Sequence, residues 1–329
     1  MSALAPTLQA FFTDRLVRQR QASPHTLAAY RDTMRLLVRY AAERGGVEPA
    51  KLEVSDLDAT MISAFLDHRE HHCQNSIRTR NARLAAIRSL FRFAALRHPE
   101  HAAIIARVLA IPPKRFERRL VTFLSDPEVD ALLAAPNRST WTGRRDHTLL
   151  ALAVQTGLRA SELIALQKTD VHLGVAPHVS CVGKGRKQRI TPLTAAVVAV
   201  LRSWLDERTG HETDPVFSTH TGKPLSRDAL ERRLRTHMAI AVQTCPSLRQ
   251  KTITLHVLRH TAAMRLLHAG VDTSVIALWL GHEQVETTQI YLHADLAVKE
   301  RALERTTSLH TVPGRYRPSD ALLAFLEAL

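Results

Sequence analysis

The chain has 329 residues, 45% hydrophobic and 23% charged, the make-up of a soluble globular protein with two domains of moderate size. Its 45 Lys and Arg against 31 Asp and Glu leave a formal charge of +14, an excess that attracts nucleic acid or an acidic membrane face. A spanning helix is excluded because no run of about 18 apolar residues occurs. The start, MSALAPTLQAFFTDRLVRQR, lacks the form of a signal peptide. Cys73, Cys181 and Cys245 are too scattered for a disulfide framework or a CxxC metal pair, so a reducing cytoplasm is the expected setting. The charge is shared, with 18 basic against 10 acidic residues up to position 115 and 27 against 21 beyond it. Both parts of the chain are therefore expected to touch the polyanion.

In chain order, the first 110 residues read as helices only. Ser23-Pro24 marks a helix start, because serine caps orphan amides and proline is tolerated in the first turn. Leu27, Tyr30, Met34, Leu37, Tyr40 and Ala41 follow at the three-four spacing of a buried stripe, which assigns both tyrosines to the core. Gly45-Gly46 ends that helix. A second pattern runs through Leu57, Met61, Ile62, Phe65 and Leu66, and a third from Ser76 through Ile77, Leu84, Ile87, Leu90, Phe91 and Ala94. The third helix also carries Arg78, Arg80, Arg83, Arg88 and Arg92, expected on its outer face, with no acidic residue from 76 to 97. A run of one sign has no i,i+4 ion pairs to offset its repulsion, so contact with phosphates is favoured over simple solvation.

Prolines 112 and 113, followed by KRFERR, form a linker that cannot continue a helix and that its charges keep solvated. A capping box, Ser125-Asp126-Pro127-Glu128, opens the next helix. Helices run to about residue 166. From Val171 to Leu193 β-branched residues flank the turn Gly183-Lys184-Gly185-Arg186-Lys187, which predicts a β-hairpin. Helical patterns resume over 194–208, 226–243, 255–269, 273–280 and 285–293, with Gly270 and Gly281 placed as stops.

Three segments of the second half hold unusual polar residues. In TGLRASEL, Arg159 follows a glycine break and begins a helix, where the dipole disfavours a cation. An ion pair with Glu162 accounts for it as well as a ligand does. In LHVLRH, His256 and Arg259 are three apart and share a helical face. In LGH, His282 follows a glycine stop, and Tyr291 lies nine residues further on. Alone, His282 reads as a cap and Tyr291 as core. Together, two arginines and two histidines suit a phosphate, because guanidinium forks match its oxygens and imidazoles exchange protons. A nearby tyrosine can attack phosphorus to form an ester, stabilised by fixed donors without a metal. Lys184 at the hairpin tip can act as general acid.

In this order, TGLRASEL, GKGRKQR, HVLRH, LGH and TTQIY resemble the tyrosine recombinase (phage integrase) family, Xer-type and transposon-encoded members most of all. The resemblance covers about residues 23–300. It implies a mainly α fold: a helical core-binding, SAM-like domain over 1–111, a linker over 112–122, a mostly α catalytic domain with a small antiparallel sheet over 123–312, and a tail helix over 313–329. By that resemblance Arg159 and Arg259 clamp the scissile phosphate and Glu162 orients them. Lys184 protonates the departing 5′-hydroxyl, with Lys187 as its rival. His256 and His282 assist proton movement, and Tyr291 forms a 3′-phosphotyrosyl link. The ester conserves bond energy, so neither metal nor ATP nor another cofactor is expected. The implied partners are double-stranded DNA, gripped between the two domains, and further copies of the chain in a synaptic tetramer. Need for a second recombinase stays open, as does the choice among integration, transposition and dimer resolution. A type IB-like topoisomerase uses a similar residue set, and a DNA-binding regulator with a vestigial site is the rival without chemistry.

Other features read plainly. His68, His71, His72 and Cys73 permit two metal ligands, but no second pair follows, so a solvated helix end is expected. His260 is read as packing or bonding locally, with a part in catalysis as the lesser alternative. Tyr316 sits between prolines without the surrounding pattern. The apolar segment 319–329 would be a sticky patch if exposed, and it packs either on its own domain or on a neighbouring protomer.

Overall fold

The computed structural model describes residues 3–116, 121–183, 188–208 and 210–281, together with Thr288 and Tyr291. The chain divides into two compact units, Met1–Arg118 and Arg119–Leu329. Among the described residues no helix is long and apolar enough to cross a membrane.

The first unit is helical, with no strand among its described residues. Helix α1 (Leu4–Ala10) runs into π-wound turns over Phe11–Gln19, and α2 (Pro24–Gly45), α3 (Ala59–His71), α4 (Ile77–Ala94) and α5 (Ala102–Ala110) follow. Polar side chains start the longer helices. Ser23 Oγ accepts the Thr26 amide at 3.2 Å, Asp58 Oδ1 the Met61 amide at 2.7 Å, and Ser76 Oγ the Thr79 amide at 3.2 Å. The apolar stripes meet in one core built on Phe11, Leu37, Phe65, Ile87, Leu90 and Val108. Tyr30 and Tyr40 are half-buried at its edge, against Phe11 and Phe65. His68 stacks on His72 with ring centroids 5.0 Å apart, and His71 bonds the Asp67 carbonyl. Among the described residues no metal-binding group of three forms.

The arginines of α4 do not share an outer face, which corrects the reading from sequence. At 3.6 residues per turn, Arg80 and Arg83 lie about 140–200° around the helix from Arg78. Arg78 and Arg92 are exposed, Arg83 and Arg88 are half-buried, and Arg80 is buried. Arg80 faces α3, with Nε 3.2 Å from Glu70 and Nη2 3.9 Å from Asp67. Arg88 donates to the Ile111 carbonyl. The offsetting carboxylates come from another helix, where an i,i+4 count along α4 does not look. The segment after α5 is also tied down rather than solvated throughout. Lys114 Nζ reaches Glu70 at 2.9 Å, and its backbone exchanges two bonds with Asn81.

The second unit is built around α7 (Trp141–Thr156), whose Leu149, Leu150, Leu152 and Val154 are all buried. Helices α6 (Asp126–Ala134), α9 (Ala195–Asp206) and α11 (Leu255–His268) pack on it. The capping box of α6 forms, with the Ser125 amide donating to Glu128 at 2.8 Å. Short α8 (Ala160–Ala165) follows α7, and α10 (Arg227–Thr244) is joined to α7 through Asp146. That carboxylate accepts Arg145 at 2.8 Å, Arg233 at 2.5 Å and His237 at 2.8 Å. Helix α12 (Thr273–Leu280) completes the described helices.

The expected hairpin is part of a three-stranded antiparallel sheet. β1 (Val171–His172), β2 (His178–Val182) and β3 (Gln188–Pro192) lie in that order, and Cys181 faces Arg189 across the β2–β3 ladder. Residues 184–187 of its turn lie outside the described residues, as do the tail over 313–329 and all of 285–293 except Thr288 and Tyr291.

Candidate active site

Helix ends create the site. Helix α7 stops at Gly157 and α12 at Gly281, each with φ +65°, a left-handed backbone that glycine adopts without strain. A Cβ on Gly157 would lie 2.7 Å from Leu280 Cδ2 and 3.1 Å from Ala262 Cβ, so these turns and α11 approach closely only because that side chain is missing. Carbonyls at helix C-termini carry partial negative charge, and here they hold arginines. Arg259, on α11 and 2% exposed, donates to the Gly157 carbonyl at 2.7 Å and the Leu280 carbonyl at 2.5 Å. Arg159 Nη2 donates to the Gly281 carbonyl at 3.0 Å. Trp279 Nε1 adds a bond to the Thr156 carbonyl at 3.1 Å, fastening α12 to the end of α7.

Glu162 organises the cations. It caps α8 by taking the Arg159 amide at 2.7 Å, and it also takes Arg159 Nη1 at 2.9 Å. Arg189, from β3, closes a fork on the same carboxylate at 2.8 and 2.7 Å. Burial alone would raise the Glu162 pKa, but the Arg189 fork and the Arg159 amide outweigh it and hold the acid at about 2. Burial, then repulsion from Arg159 and Arg189, brings Arg259 down to about 10, still a cation at neutral pH. Three guanidiniums thus face one carboxylate. The surplus of positive charge makes this arginine cluster, called the socket below, favourable ground for an anion.

Tyr291 stands beside this socket. It is 1% exposed, packed with Met264, Leu267, Ile276 and Leu280. Burial pushes the phenol up to about 12, while the charges of Arg259 and Arg159 pull the other way. The hydroxyl lies 3.0 Å from Nδ1 of His260, a half-buried residue of α11. One turn earlier, the exposed His256 sets its ring edge-on to His260, with centroids 4.2 Å apart. The plainer reading of each is observed, Arg159 pairing with Glu162 and Tyr291 packing in the core, and both residues stand in this one cluster.

Five residues singled out from the sequence therefore come together: Arg159, Glu162, His256, Arg259 and Tyr291. Lys184, Lys187 and His282 lie outside the described residues. Two others belong to the cluster and were not in that set. Arg189, the last residue of GKGRKQR, is given no role by the motifs. Its signal is the strand period: Thr191 is fully buried, so a residue two positions earlier faces the same way. His260, assigned to local bonding, makes its local bond to the Tyr291 hydroxyl.

Residues 122–297 match the phage integrase family, and residues 10–98 match the phage integrase N-terminal SAM-like domain. The chain belongs to this family, the tyrosine recombinases, and is a site-specific recombinase enzyme. It is 53% identical over 328 residues to "Putative integrase/recombinase y4rC" of Sinorhizobium fredii, covering 100% of this chain and 99% of that protein. The tyrosine recombinase XerC of Chlamydia muridarum is 32% identical over 308 residues, covering 88% and 94%. Among solved structures, the XerH site-specific recombinase bound to palindromic difH substrate superposes with a TM-score of 0.70 at 23% identity, covering 87% of this chain and 81% of that one.

Proposed function

We propose that this recombinase cuts and rejoins double-stranded DNA through a 3′-phosphotyrosyl ester on Tyr291. The observation that carries the reading is the neighbourhood of that phenol, packed with Leu280, whose carbonyl holds Arg259, and bonded to His260. In this step the tyrosyl oxygen bonds to phosphorus and the bond to the 5′ oxygen breaks. Arg159 and Arg259 neutralise the nonbridging oxygens, oriented by their carbonyl and carboxylate partners, so that developing charge meets fixed donors. Lys184, with Lys187 as its rival, gives the departing 5′ oxygen its proton, and His282 joins His256 in phosphate binding; these roles rest on the family resemblance. Reversal religates the strand, so bond energy is kept in the ester.

The first unit contributes backbone contacts through the exposed Arg78 and Arg92, in keeping with the basic excess before residue 115. Four copies assemble on paired sites for integration, transposition or dimer resolution. The XerH relative, caught on its difH substrate in a post-cleavage complex, supports a DNA substrate for this chain. A nicked suicide duplex tests the proposal. The expected result is a covalent protein–DNA complex that Tyr291→Phe abolishes without loss of binding. Binding with no adduct from the wild type would leave a DNA-binding regulator instead.

A further inference from the structure

We propose that His260 is a second catalytic imidazole, the base that takes the Tyr291 proton as the phenol attacks phosphorus. The inference rests on the reading of Tyr291 as nucleophile and goes beyond it, since neither the motif nor the spacing assigns His260 a role. The phenol is protonated at neutral pH, so its proton must leave during attack. His260 Nδ1 lies 3.0 Å from the hydroxyl, within range for direct transfer. The two rings meet edge to face, with centroids 5.5 Å apart at 68°.

Exposure is graded along the path outward. Tyr291 is buried, His260 half-buried and His256 exposed, with the two imidazoles in ring contact at 4.2 Å. The i,i+4 spacing on α11 puts both histidines on one face. The side of His260 away from Tyr291 thus adjoins an exposed imidazole rather than the arginine cluster.

The step balances without a further reactant. The phenolic O–H bond breaks as the O–P bond forms, and the proton moves to Nδ1. The electron pair of the broken P–O bond leaves on the 5′ oxygen, which takes a proton from a separate acid. On religation the imidazolium returns its proton to the tyrosyl oxygen.

Single-turnover cleavage of a suicide duplex tests this with His260→Ala and His260→Asn, each checked for melting temperature and DNA binding. Asparagine keeps an acceptor near the Nδ1 position but cannot take the proton. Both variants should cleave about 10²- to 10⁴-fold more slowly. The loss should persist on a duplex with sulfur at the bridging 5′ position, a leaving group that needs no protonation. Near-normal cleavage by His260→Asn, or recovery on the sulfur duplex, would overturn the proposal. The wild type gives a readout that needs no variant. Among the described residues the charged and titratable groups named beside the pair are His256, Arg259 and Arg159, and of these side-chain types only imidazole ordinarily titrates over about pH 5–8. Wild-type cleavage should slow as pH falls through that range, and a flat profile would also overturn the proposal. A wild type that forms no adduct would remove the Tyr291 reading itself. An adduct lost in Tyr291→Phe but formed normally by His260→Asn would remove only the role of His260.

Discussion

Arg189 and Glu162 meet through two parallel bonds of 2.8 and 2.7 Å, and Arg159 binds the same carboxylate through both its guanidinium and its amide. One buried acid thus lets neighbouring cations stand together. Replacing Glu162 by alanine leaves their repulsion uncompensated and should cost about 3–5 kcal/mol, read as a lower urea midpoint. Arg189→Ala should weaken cleavage by loosening Arg159. Arg189→Lys should not repair it, because an ammonium cannot reproduce the fork.

Acid should weaken the protein through the same carboxylate. Glu162 is held at about 2 in the folded chain against an ordinary 4.5. A depressed acid contributes stability that is complete above its unfolded value and lost as pH falls toward its folded one. On the order of 3 kcal/mol should therefore drain away between pH 5 and pH 2. Urea melts at stepped pH would show it, and Glu162→Gln should flatten that part of the curve.

Tyr291 should titrate late for a phenol. Its folded value near 12 lies above the ordinary 10, so stability should decline as pH rises from 10 toward 12. Ultraviolet absorbance of phenolate should show a late component that Tyr291→Phe removes. That variant loses the bond to His260, and such a loss costs about 0.5–1.5 kcal/mol.

Gly157→Ala should damage fold and site at once. The new methyl meets Leu280 at 2.7 Å on a backbone at φ +65°, and overpacking of this kind costs about 1–3 kcal/mol. Because the Gly157 carbonyl holds Arg259, adduct formation should fall further than the lowered melting temperature accounts for.

Two arginines of α4 should separate stability from binding. Arg80→Ala removes one of the two cations on Glu70 and Asp67, leaving Lys114, and should lower the urea midpoint. Arg92 is exposed, so Arg92→Ala should leave stability within about 0.5 kcal/mol. It should instead weaken DNA binding alike for all sequences and reduce the slope of affinity against salt by about one.

Much of this was legible in the residues. Ser23, Ser76 and the Ser125–Glu128 box announced helix starts because capping is local chemistry, and Gly157 and Gly281 announced helix stops for the same reason. Motif order placed Arg159, Glu162, Arg259 and Tyr291 in one set. Partnerships across elements were less legible. Arg80 has an exposed-looking sequence environment because its carboxylates lie on α3. Arg189 reaches Glu162 from 27 positions away, through a strand period that only the sheet makes visible. His260 looked like packing because its partner lies 31 residues downstream.

The acceptors that grip Arg259, at Gly157 and Leu280, are peptide oxygens rather than side chains. A peptide oxygen is the same whatever residue carries it. Most side chains around this arginine can therefore drift under mutation without touching its hold, provided the turn conformation survives. Heredity has few letters to protect here: a glycine that can turn the chain, and the arginine itself.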